Sequence, residues 1–247
     1  MLYLCVYFRV RGKRGDSACG QKQREFKKTE NMDSKIRTIA ENLLGRHLTE
    51  KDGMSISEIE TVENSLGMKL PTVLRDFYLL VGNLDMFTSS FEQFVEPYIK
   101  DEMLVFLEEN QGVCYWGINI RDTENEIVFQ CTDIEINNPE WYLEEVTLTD
   151  FLITLMYYQC AQGGYECGSA VYESNFDSRE NYMQFLTNIT VDYKKVVEHN
   201  GLVIYQNGGK LIWHFTDEKG NLADTIFVST RTEKDMKELE IYGFRRL

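Results

Sequence analysis

Residues 105–118, VFLEENQGVCYWGI, set Glu108, Glu109, Asn110 and Gln111 between two apolar runs, with Gly112 just after them. Two neighbouring carboxylates can divide acid and base roles when their environments push their proton affinities apart. Consecutive residues on a strand point to opposite faces, which separates Glu108 from Glu109. A glycine-ended connection between apolar segments, here 108 to 112, is the ordinary form of a hairpin. In that setting the carboxylates and amides cap backbone N–H groups or meet a partner. The spacing favours a turn over an active site.

Other chemistries are no better supported. QNGGK at 206–210 has the glycines and lysine of a phosphate loop, but neither its spacing nor a following helix. No nucleophile elbow occurs. The six cysteines (Cys5, Cys19, Cys114, Cys131, Cys160, Cys167) include no CxxC pair, and His47, His199 and His214 lie far apart, so zinc-ligand spacing is missing. The expectation is a non-enzymatic chain with no catalytic residue, metal or cofactor. Scattered thiols fit a reduced, cytoplasmic setting. QGGYECG at 162–168 reads as a helix stop and loop, whose Tyr165 is free to touch a ligand.

Charge narrows the partner. Residues 1–31 hold eight Lys and Arg against Asp16, Glu25 and Glu30, a balance of +5; with a total of −14, residues 32–247 carry −19. Such a field repels phosphate backbones and anionic lipid and draws in basic proteins, so neither direct nucleic-acid nor membrane binding is expected. Tyr98, Trp116, Trp141 and Tyr142 stand near acidic residues, and aromatic rings with carboxylates suit Arg and Lys of a partner. Trp116 reads as core. Trp141 and Tyr142, in NNPEWYLEE with Glu144 and Glu145, read as exposed contacts, and Tyr115 joins them beside the 108–111 turn.

The elements that hold these residues follow from periodicity. The first 31 residues read as a basic extension outside the fold, with Met32 a candidate start; their apolar run precedes its positive charges, the reverse of an export signal. From 32 to 247 one domain is expected. DSKIRTIAENLLG gives a short helix. SISEIETVENSLG gives a second, with Ser57 and Glu60 at capping-box spacing, and KLPTVLRDFYLLVG a third, the last two forming a helical hairpin. MLVFL, VCYWGINI and EIVFQC read as strands, and LTDFLITLMYYQCAQGG as a helix buried on more than one side. LVIYQNGGKLIWHF reads as a hairpin turning at Asn207-Gly208, which pairs Ile204 with Leu211 and Leu202 with Trp213. A further turn and strand follow, and Thr232 with Asp235 caps a final helix. The class is α+β: an N-terminal helical hairpin, then a mostly antiparallel twisted sheet with helices packed on it.

SEIETVENSLGMKLPTVLRDFYLLVGN, a helix ending Leu-Gly, then Leu-Pro, a helix with Phe-Tyr, and Gly-Asn, resembles the opening of the SUKH superfamily. LVFLEENQGVCYWGI is similar to that family's strand pair, in particular the bacterial branch with a Glu-Asn-Gln turn and a Tyr-Trp-Gly strand: Glu109, Asn110, Gln111, Tyr115, Trp116 and Gly117. The resemblance covers residues 55–165; beyond them only the order of elements agrees. It implies a binding domain that neutralises a cognate polymorphic toxin, commonly a basic nuclease. The family's other branch implies a regulatory scaffold of cell-wall synthesis. No toxin-contact residue carries over by motif.

Overall fold

The computed structural model describes residues 32–121, 126–136 and 138–244. The expectation for residues 1–31 lies outside them. Helix α1 (Met32–Leu44) turns Ile36, Ala40 and Leu43 inward, one residue per turn along a single face. Helices α2 (Ile56–Leu66) and α3 (Thr72–Val81) flank the connection 67–71, and Gly67 ends α2 in the left-handed conformation at φ 68°. The capping box belongs to Ser55 and Glu58, two residues before the expected Ser57 and Glu60. SISEIE contains the Ser-x-x-Glu spacing twice, and the earlier pair leaves Ile59 aimed at the core. Pro71 is the N-cap of α3. A single turn, α4 (Asp85–Thr88), follows.

Five antiparallel strands come next and pair in chain order: β1 (Gln93–Lys100), β2 (Met103–Glu108), β3 (Tyr115–Asn119), β4 (Ile127–Cys131) and β5 (Tyr142–Thr147). Strand β1 is one edge, and it carries Pro97 and a register shift between Phe94 and Tyr98. Helix α5 (Leu148–Gln159) starts at Thr147, whose hydroxyl accepts from the Asp150 N–H, and runs into a π-helical turn at Cys160–Gly164.

The remaining strands form a second sheet, not part of the first. Its order is β6-β10-β9-β8-β7, built from β6 (Cys167–Tyr172), β7 (Lys194–His199), β8 (Leu202–Asn207), β9 (Lys210–Thr216) and β10 (Leu222–Thr230). The single expected sheet is thus two, and α5 supplies the reason. A helix apolar nearly all round needs cover on several sides, and α5 touches β4 and β5 of one sheet and β7 of the other. One hydrophobic core joins Leu104, Phe106 and Trp116 to Leu152 and Met156 of α5 and to Ile204, Trp213 and Phe215 of the second sheet.

Helices α6 (Arg179–Thr190) and α7 (Glu233–Leu239) close the far side of the second sheet through Tyr182, Ile189, Met236 and Leu239. The α6 stripe of Tyr182, Phe185, Leu186 and Ile189 has helical spacing that the sequence reading left unassigned. Thr232 caps α7 as expected. The β8–β9 hairpin turns at Gly208-Gly209, so Ile204 faces Trp213 and Leu202 faces Phe215, two residues from the expected register. A slip of two keeps every side chain on its face, so alternation alone does not decide between them. The backbone at Gly209 also passes close to α7, where a Cβ would lie 2.9 Å from Asp235 Oδ2. Tyr165, expected free in a loop, is buried and donates its hydroxyl to Leu43 O at 3.0 Å. Among the described residues no helix is long and apolar enough to cross a membrane, and no group of three His, Cys, Asp or Glu could hold a metal ion.

Candidate partner interface

The core-facing side of the first sheet is covered by helices; among the described residues, the cluster on the opposite side draws on none. That small cluster is Val105, Cys131 and Ile134, with Tyr115 and Trp141 packed on it. Strand register explains which side chains arrive there. Tyr98 pairs with Val105, Val105 with Gly117, Gly117 with Phe129, and Phe129 with Leu143, a row across all five strands. Residues directly opposite share a face, so this row lies on the side away from the core. Tyr98 is 38% exposed, Leu143 52% and Ile136 50%. Trp141 leans over the row: a Cβ on Gly117 would sit 3.4 Å from its Cη2.

Carboxylates rim these rings. Glu108 pairs with Tyr115 across β2 and β3. The Tyr115 hydroxyl donates to Gly112 O at 3.1 Å, and a Cβ on Gly112 would lie 3.2 Å from Glu108 Oε1. Burial pushes the Tyr98 hydroxyl up to about 12, and its neighbours Tyr115, Glu108 and Glu135 add to the shift. Burial also raises Tyr115, followed by the charges of Glu108 and Glu135. Tyr142 is raised chiefly by its hydrogen bond to Glu140, 2.5 Å from hydroxyl to carboxylate. Beside Tyr98 a shallow groove of about 400 Å³ runs between α2 and β1, lined by Ser65, Leu66, Glu96, Pro97, Tyr98 and Ile99.

The expected contact residues divide in this frame. Glu108, Tyr115 and Trp141 share the open face, Trp141 part-buried and not exposed as expected, its Nε1 enclosed with no hydrogen-bond partner among the described residues. Tyr142 is 42% exposed, and Glu145 is exposed at φ 54°. Asn110 and Gln111 are exposed at the tip of a connection longer than 108–112, closed by Glu109 N–H on Cys114 O at 2.8 Å. Glu109 itself is buried, its carboxylate accepting from the Gln111 N–H at 2.9 Å. It holds the turn's shape.

Glu144 departs furthest from expectation. It is 3% exposed and faces the core, accepting from Trp116 Nε1 at 2.9 Å and from Asn200 Nδ2 at 2.8 Å, with His199 Nε2 3.8 Å away. It thereby ties β5 to β3 and to the β7–β8 turn of the second sheet. The nearby cavity, lined by Glu92, Trp116, Tyr158, His199 and Leu202 among others, measures about 20 Å³. That is room for one water-sized molecule and no substrate. Three further residues of this face, Phe129, Glu135 and Leu143, were not singled out in the sequence, whereas Tyr98 was noted among the aromatics near acidic residues. The alternation of IVFQC and WYLEEV is visible in the sequence, but not which strand lies beside which.

Comparison of this chain with protein-family models, with curated proteins and with solved structures gives no match.

Proposed function

We propose that this chain is a non-enzymatic binding protein that neutralises a basic protein toxin, of nuclease type, by stoichiometric attachment, as the SUKH resemblance implies. The observation that carries the reading is the open, acid-rimmed aromatic face of the first sheet. Aromatic side chains supply large, rigid contact area, and a negative rim steers a cationic partner and suppresses wrong ones. A nuclease holds phosphates with a basic groove, so an acidic partner meets it quickly and occupies the same groove. Nothing in this mode requires a bond to be made or broken.

The test is co-expression with each toxin candidate encoded beside the gene. Growth is expected to be rescued by one of them, and purification of the rescued pair to give a stable complex of fixed stoichiometry. Failure to rescue against every neighbouring toxin removes the proposal, and so does rescue without a physical complex. Co-purification with several weakly held wall-synthesis proteins instead would point to the scaffold reading.

A further inference from the structure

We infer that Tyr98, Tyr115, Glu108 and Glu135 together form a receptor for one arginine side chain of the partner, an inference that rests on the binding reading above and names its recognition chemistry. Tyr98 lies on β1 and Tyr115 on β3, the strands that flank β2. Gly117, not Tyr115, stands in line with Tyr98, so the two tyrosines lie on a diagonal across β2. Two strand spacings sideways and two residues along put their backbones about 12 Å apart, and one planar cation between the side chains meets both rings. Val105 of β2, buried and apolar, is the floor of that gap.

Two carboxylates complete it. Glu108 sits opposite Tyr115, and Glu135 follows Ile134, which packs with Val105 and Cys131 beneath Tyr115 on this same face. Neither Glu108 nor Glu135 forms an ion pair with a described residue of this chain. Their charge is therefore available to an incoming cation. Guanidinium suits the site better than ammonium. It is planar, stacks on aromatic faces, is weakly hydrated, and meets a carboxylate with two parallel hydrogen bonds. A lysine would gain the attraction without the stacking or the fork.

The experiment titrates the unaltered full chain with hexa-arginine and with hexa-lysine at 150 mM salt, read by calorimetry and by its intrinsic tryptophan fluorescence. Hexa-arginine is expected to bind about tenfold more tightly than hexa-lysine, a difference of the size stacking and bidentate pairing supply. Tyr98→Ala and, separately, Glu108→Gln and Glu135→Gln should each weaken hexa-arginine by about threefold to tenfold and move hexa-lysine less. Glu218→Gln, which removes the same charge from the exposed β9–β10 turn, is the control. Equal binding of the two peptides, or a loss for Glu218→Gln matching that for Glu108→Gln, reduces the site to general charge attraction and overturns the proposal. If Tyr98→Ala misfolds by circular dichroism, the two Glu→Gln variants carry the decision. A toxin complex unchanged by Tyr98→Ala sinks the receptor and leaves the binding function standing. Selective hexa-arginine capture with no toxin partner does the reverse.

Discussion

Asp52 shows how much one carboxylate can hold in a loop. It is buried, and Arg46 donates to both its oxygens at 2.8 and 2.7 Å while the Thr49 N–H donates at 2.7 Å. The Arg46 hydrogen bonds, first among its contacts, hold its proton affinity well below the ordinary carboxylate range. A depressed folded-state value means that this stabilisation is complete above the unfolded value, near pH 4, and fades as the pH falls through the folded one. Asp52→Asn should therefore cost about 1 to 3 kcal/mol at pH 7, where a buried acceptor loses charged partners, and the deficit should shrink steadily below pH 4 in urea melts. Glu144 makes the complementary case. Glu144→Ala leaves the Trp116 indole N–H and the Asn200 amide without their shared acceptor, at a cost of about 2 to 4 kcal/mol, while Glu144→Gln costs less. Because the carboxylate faces inward, partner affinity per folded molecule should not change in either variant. Glu144 reads as a surface residue in the sequence because its partners lie 28 and 56 positions away. Glu109 and the indole of Trp141 are misread similarly: residue type alone does not reveal which way a side chain turns.

Elements are more legible than their registers. Every helix stripe and strand alternation noted in the sequence corresponds to an element, yet the capping box and the β8–β9 hairpin each moved by two residues. In both cases a second placement two residues away preserves the local pattern, which is why alternation and spacing alone do not choose between them. The cap is directly testable. Ser55→Ala should lower stability by about 1 kcal/mol, and Ser57→Ala by only a few tenths, in chemical denaturation. Comparable losses would mean that the cap is shared between the two serines. The loop before α2 is held more tightly still. Gly53 passes so close to α3 that a Cβ would stand 1.7 Å from Leu79 O, while the Met54 N–H donates to Tyr78 O at 2.9 Å. Gly53→Ala must push backbone away from backbone, and about 2 to 4 kcal/mol of stability should be lost in the same measurement.

At the scale of the molecule, α5 converts two sheets into one structure, since its apolar surface is satisfied only when both are in place. Thermal unfolding should therefore show one transition, with Trp116 fluorescence from the first sheet and Trp213 fluorescence from the second moving together with far-ultraviolet circular dichroism. Separate midpoints for the two reporters would break the shared-core account. The division into two sheets was not legible because strand pairing is set by long-range contacts, while periodicity reports only how each segment faces its surroundings. The open face of the first sheet bears on the protein's behaviour in crowded solution. An open sheet invites its own copies to add strands at its margins, β1 and β5, and β1 is the margin beside the exposed tyrosine. Pro97 has no N–H to offer there and the neighbouring irregularity breaks the repeat, so another chain finds no straight ladder to extend. Light scattering should accordingly find the purified protein free of growing aggregates even when concentrated, and Pro97→Val should be the substitution that starts them.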